Sequence, residues 1–179
     1  MNQIDSIQQY IESLKESAFV FKAEKKGCVF ARIGNEGEKI VTYVSSGDIE
    51  TINTIKKDID GNLGIVAIRA DQNGKKITDT KGHENVYIIE RTVFNERYAE
   101  PEKLSCKESF FKPKGYIQSF IQINEDICFD ASWGEKQYLH KGGFLNVTEL
   151  NDIYGIEYKE FIESYSFIDM NDYNRIMNF

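Results

Sequence analysis

The chain has 179 residues, of which 41% are hydrophobic and 28% charged, with 12 Phe, 10 Tyr and a formal net charge of −7. That length and apolar share are enough for a packed core, which excludes disorder as the default state. The acidic balance, with lysines scattered as short pairs such as Lys25-Lys26 and Lys56-Lys57, excludes a concentrated basic surface for a nucleic-acid polymer.

The first predicted element is an amphipathic helix over residues 1–17, because Ile4, Ile7, Ile11 and Leu14 recur at spacings of three and four. Strand-like runs follow at 19–22, 28–33, 39–44 and 64–69, separated by turn signals such as Lys26-Gly27, Asp60-Gly61-Asn62 and Asn73-Gly74. Val86 to Ile89 reads as a strand leading into a short helix capped by Thr92, with Phe94 and Tyr98 on one face. Pro101 ends this region, and the polar stretch 100–109 reads as a linker. Further strands are expected at 116–123, 127–131, 136–140 and 144–147, then Tyr154 and Ile156 before a helix bearing Phe161 and Tyr165. A last helix begins near Asn171 and docks Ile176 and Phe179.

Two of these regions match. Tyr87, Ile89, Glu90, Phe94, Glu96 and Tyr98 are repeated, at a constant offset of 67, by Tyr154, Ile156, Glu157, Phe161, Glu163 and Tyr165. Six identities in twelve positions, where residue usage gives roughly one, point to duplication. The expected fold is therefore α+β: an N-terminal helix (1–17), a first β-rich repeat (18–100), a second (110–169) and a C-terminal helix (170–179), each repeat closing in a strand and short helix.

The segments CFDASWGE, KGGFLNV and YGIEYKEFIESY resemble the small bacterial and phage proteins of the PGDYG family, with TYVSSGDIET, GIVAIR and ENVYIIERTVFNERY as a more divergent copy. In the turn that names the family this chain has Lys141-Gly142-Gly143-Phe144, with Gly143 where Asp is usual. The resemblance implies an accessory protein and no established reaction.

No stretch approaches the roughly 18 apolar residues that cross a bilayer, and the N-terminus lacks a basic leader followed by an apolar segment, so a cytoplasmic location away from membranes is expected. Cys28, Cys106 and Cys128, without CxxC spacing, read as buried thiols, and two histidines are too few for a local Cys/His zinc site. Neither a metal nor another cofactor is expected.

Trp133 and Glu135, flanking Gly134, could recognise a ring and its polar edge; the plainer reading is a Trp covering the core with Glu135 in solvent. In Ser46-Gly47-Asp48-Ile49-Glu50-Thr51, backbone amides could form an anion nest with Asp48 or Glu50 on a ribose hydroxyl, or the segment is simple turn punctuation. Asp126, Asp130, Glu135 and His140 are the densest set of groups capable of acid–base work, and exposed turn acids explain the same letters. Glu90 and Glu157 precede the matched helices and suit their N-terminal dipoles. No Gly-x-Ser-x-Gly elbow, HExxH motif or P-loop is present. The first reading is a non-catalytic binding protein for a small nucleotide-like ligand, through Trp133, Glu135, Asp48 and Glu50, or for a protein partner. The alternative is an enzyme acting on a nucleotide-type substrate with Asp130, Glu135 and His140.

Overall fold

In a computed structural model of the chain, residues 1–44 and 46–177 are described. They form fourteen strands in four sheets with four short α-helices, a mostly β protein. This corrects the α+β expectation of an N-terminal helix followed by two repeats. A strand precedes the first helix, and the chain divides into a unit of Met1–Lys25 with Ile117–Phe179 and a second unit of Lys26–Tyr116.

The discontinuous unit begins with β1 (Asn2–Ile4), α1 (Ile7–Leu14) and β2 (Phe21–Lys25). Ser6 caps α1, its hydroxyl accepting the Gln9 N–H at 3.3 Å, so Ile4 leaves the predicted helical stripe for the strand while Ile7, Ile11 and Leu14 stay on the buried face.

The continuous unit holds β3 (Cys28–Ile33), β4 (Lys39–Tyr43), β5 (Ile49–Thr54), β6 (Ile65–Ala70), β7 (Val86–Ile89), α2 (Arg91–Arg97), a 3-10 turn at Pro101–Lys103 and β8 (Ser109–Phe111). Its sheet has the order β7-β6-β3-β8, all antiparallel. Alternation along β6 sends Ile65 and Ala67 towards Phe94 of α2, whereas Val66 joins Ile40 and Ile55 beside the β4–β5 hairpin. One strand thus serves two apolar layers, and β6 reads as a nearly continuous hydrophobic run.

The remaining elements are β9 (Ile117–Gln122), β10 (Ile127–Asp130), β11 (Lys136–Leu139), β12 (Phe144–Asn146), β13 (Tyr154–Ile156), α3 (Tyr158–Ser164), β14 (Tyr165–Phe167) and α4 (Met170–Met177). They complete the first unit as a sheet of order β13-β12-β9-β2-β14 and a smaller sheet β1-β10-β11. The larger sheet is covered on both faces: Ile121 and Leu145 pack with α1, Ile127 and Phe129, whereas Phe120 and Phe144 pack with Phe161 and Ile176 of the later helices.

The matched segments share their local structure. Glu90 and Glu157 are N-caps in extended conformation, Phe94 and Phe161 are fully buried, and Tyr98 and Tyr165 follow the helices. Burial first, and then the neighbouring hydroxyl of the tyrosine that opens its own segment, Tyr87 or Tyr154, pushes the hydroxyl pKa of each of these tyrosines upward. Thr92 lies within α2 and does not cap it. At α4 it is the Asp169 carboxylate that accepts the Asn171 N–H, so Asn171 is not the cap; Ile176 is buried, and Phe179 lies outside the described residues. Cys28 and Cys128 are buried, but Cys106 is exposed, contrary to expectation, because it sits in a polar turn before β8.

Arg32 and Glu38 form a two-pronged pair, with Arg32 Nη1 2.9 Å from Glu38 Oε1, and the Asn35 N–H donates to the same oxygen at 3.0 Å. The Arg32 hydrogen bonds, followed by that from Asn35, lower the Glu38 pKa from 4.5 to about 2. A carboxylate depressed on folding stabilises above its unfolded pKa and loses that contribution as pH falls. Wild type should therefore exceed Glu38→Gln by about 1 to 2 kcal/mol at pH 6, a value discounted for partial solvation. Urea denaturation should show this margin shrinking between about pH 4.5 and 2; a constant margin would contradict it.

Candidate functional site

The most chemically varied concavity lies in the continuous unit, a pocket of about 290 Å³ bordered by Tyr43, Arg69, Thr78, Thr80, His83 and Asn85. Its wall is made by the chain after β6. Ile77 N–H bonds to the Arg69 carbonyl at 2.9 Å, Arg69 N–H bonds to the Asn85 carbonyl at 3.0 Å, and Thr78 bridges Glu84. These bonds return residues 77–85 beside the end of β6 and hold them against Tyr43.

The turn within this wall is built on Asp79. Its Oδ1 accepts the Lys81 N–H at 2.8 Å and the His83 N–H at 2.9 Å, while Gly82 takes φ +83°, a region that a residue with a Cβ resists. Asp79 Oδ2 lies 3.1 Å from His83 Nδ1. Burial opposes ionisation of this carboxyl, but the amide and imidazole hydrogen bonds outweigh it and leave the pKa below the ordinary value. His83 is held on its other side by Tyr43, whose ring is parallel to within 8° at a centroid distance of 3.7 Å.

Charges around the pocket are unevenly satisfied. Asp79 faces His83, and Glu84 lies 3.7 Å from Lys76 Nζ. Arg69 is exposed and, among the described residues, its guanidinium has no carboxylate within ion-pairing distance. The arrangement therefore offers an unpaired cation, hydroxyl and amide groups, and a fixed aromatic pair. These are the components for holding an anion attached to a ring.

Sequence reasoning passed over this pocket. The available signal was the recurrence of Asp-x-x-Gly at Asp58, Asp71 and Asp79. In each case the aspartate Oδ1 accepts the N–H groups two and four residues on. Three like turns would have placed residues 71–85 as an ordered pair of loops, though not the arginine beside them.

The residues singled out from sequence fall elsewhere. Asp48 accepts from the Ser46 hydroxyl at 3.1 Å and lies 3.7 Å from Lys81 Nζ, which ties it to the turn that walls the pocket. The Gly47 N–H bonds to the Val44 carbonyl, so that amide is already engaged in a turn; Ser45 lies outside the described residues. Glu50 is on β5, every residue of which is exposed.

Trp133 and Glu135 belong to the discontinuous unit. Trp133 is 53% exposed and its indole N–H donates to Glu135 Oε2 at 3.2 Å, so the pair is closed on itself in the β10–β11 turn. Asp130 pairs with Lys136 at one end of that hairpin, 3.4 Å between carboxylate and ammonium. His140 follows the other end, roughly 13 Å from Lys136 at the rise of an extended chain, where its Nδ1 lies 2.9 Å from Glu157 Oε1. That hydrogen bond raises the His140 pKa. Asp126 accepts the Lys141 N–H at 2.8 Å. The structure thus joins His140 to Glu157, and Trp133 to Glu135, but does not bring Asp130, Glu135 and His140 to one point. Glu157 uses its carboxylate on His140 and makes no capping bond to α3, and Glu90 makes none to α2.

Among the described residues, no group of three or more His, Cys, Asp and Glu side chains is gathered as metal ligands, and no helix is long and apolar enough to cross a membrane. A Cβ placed on Gly143 would meet Leu139 Cδ1 at 2.6 Å and the His140 carbonyl at 3.0 Å, so the Asp that the sequence resemblance calls for would not fit this turn without displacing it. No protein-family model, curated protein or solved structure matches the chain.

Proposed function

We propose that this chain is a non-catalytic binding protein for a small nucleotide-like ligand, held in the pocket of the continuous unit. The observation that carries this reading is the unpaired Arg69 guanidinium in a concavity shared with the Tyr43–His83 stack. A phosphate suits the arginine, which offers a planar fork of donors, and Thr78, Thr80 and Asn85 add neutral polar contacts. A base can lie against the aromatic pair, a contact worth about 1 to 3 kcal/mol per base where it has been measured by substitution. Because Asp79, itself at the pocket, is hydrogen-bonded to the His83 ring, the stack is held in place before a ligand arrives, which lowers the ordering cost of binding.

The test is a titration of isotope-labelled protein with adenosine 5′-monophosphate, adenosine and inorganic phosphate, followed by NMR. The nucleotide should bind more tightly than either fragment and shift the amides of residues 77–85. Arg69→Ala should weaken the nucleotide at least 10-fold, about 1.4 kcal/mol, and leave adenosine unchanged. Equal affinity for phosphate alone would reduce the site to an anion cradle. Absence of nucleotide binding at millimolar concentration would overturn the small-ligand reading.

A further inference from the structure

A second cavity, in the discontinuous unit, has different chemistry. It encloses about 300 Å³ among Leu14, Phe19, Phe21, Ile123, Asn124 and Ile176. Its lining comes from the end of α1, the chain entering β2, the exit of β9 and the face of α4. Four of these side chains, Leu14, Phe21, Ile123 and Ile176, are buried core residues, so the floor is apolar and fixed by the same packing that holds the sheet.

The rim carries one cation. Arg175, on α4, also borders the cavity, and its guanidinium carbon lies 4.2 Å from the centroid of the Phe19 ring. That contact orients the planar guanidinium while leaving its N–H edges available. Among the described residues no carboxylate lies within ion-pairing distance of Arg175; Asp172 on the same helix feels its charge, with a pKa raised first by burial and then by Asp169 while Arg175 opposes. Among the described residues the Asn124 side chain at the same rim has no hydrogen-bond partner, and it supplies an amide donor.

From this geometry we infer that the cavity is a binding site for a small organic monocarboxylate, with an aryl or short alkyl body on the Leu14–Phe21–Ile123–Ile176 floor and its carboxylate on Arg175. A single oriented guanidinium matches a carboxylate in two-pronged fashion. The volume lies at the small end of ligand pockets, about 300 to 1,000 Å³, which fits a one-ring acid on an apolar floor. This site is independent of the one around Arg69, in residues and in ligand.

The experiment uses 3-phenylpropanoate and its uncharged counterpart 3-phenylpropanamide as probes of the full chain, with methyl NMR reporting on Leu14, Ile123 and Ile176. The acid should shift these methyl signals and bind at least 10-fold more tightly than the amide. Arg175→Gln, an exposed substitution that retains a polar side chain, should remove that preference, and Ala18→Leu, at the cavity wall, should weaken both probes. Equal binding of acid and amide would show an apolar void without recognition of charge. Shifts confined to other residues, no binding at millimolar concentration, or an unchanged preference in a folded Arg175→Gln protein would each overturn the assignment.

Discussion

Phe161→Ala is expected to destabilise the protein by about 3 to 5 kcal/mol, the cost of deleting a buried aromatic side chain and leaving a cavity. Phe161 is fully buried at the centre of an aromatic cluster. Its ring centroid lies 4.0 Å from that of Phe144, 5.0 Å from Phe120, 5.3 Å from Tyr165 and 5.5 Å from Phe167. These neighbours come from β12, β9 and β14, so one side chain joins α3 to three strands of the larger sheet. Rings that are themselves held by the sheet cannot close over the vacated volume, which places the loss towards the upper end of that range. Phe94→Ala removes a ring with fewer aromatic neighbours, Tyr98 at 4.8 Å and Phe111 at 5.0 Å, and should cost less than Phe161→Ala. Chemical denaturation of the two variants measures both statements. A loss below about 1 kcal/mol for Phe161→Ala would mean that the ring is not a core element.

The strands were the most legible part of the sequence because their side chains alternate or run continuously apolar between tight turns. Val29 to Ile33 and Ile65 to Ala70 are paired strands at full length. The fold class was misread because the helices are easily seen but contribute little: α2 and α3 each bury a single residue, whereas β12 is buried throughout. Local periodicity also could not reveal that β2 pairs with β9, more than ninety positions later, or that Ile4 lies in a strand paired in parallel with β10. These are long-range pairings set by sheet assembly. The same limit applies to the candidate sites. Trp133 and the scattered acids drew attention by residue type, yet Asp48, Asp126, Asp130 and Glu135 each have a partner in the fold, and Glu50 lies on an exposed strand. Arg69 did not stand out in the sequence, and its interest arises because, among the described residues, the loops after it leave it without a carboxylate within ion-pairing distance, although Asp79 and Glu84 border the same pocket.

Asn146→Ala should cost about 2 to 3 kcal/mol, an unusually large effect for removing a small polar side chain, because that residue organises a buried network. Asn146 is 2% exposed, and its amide nitrogen donates to Gln118 Oε1 and, at 2.8 Å, to the Tyr154 hydroxyl. Its oxygen accepts the Thr148 hydroxyl at 2.7 Å and the Thr148 N–H at 3.1 Å. Tyr165 also donates to Gln118 Oε1, at 2.9 Å, which links the network to the tyrosine pair of the matched segment. The other unit shows the arrangement without this asparagine: Ala67 pairs with Tyr87 in the register that Asn146 holds with Tyr154, and Tyr87 adjoins Tyr98. An alanine is therefore compatible with the backbone, so the loss measures the network itself and not a strained strand. Water can reach Thr148, which is exposed, and this keeps the expected value below the sum of four lost hydrogen bonds. Combining Asn146→Ala with Tyr154→Phe in a double-mutant cycle should give a coupling of about 0.5 kcal/mol or more, because the two side chains share one bonded chain. Additive losses, or a single-variant cost below about 1 kcal/mol, would show that the sheet is stable without the polar network and that Asn146 is held by packing alone.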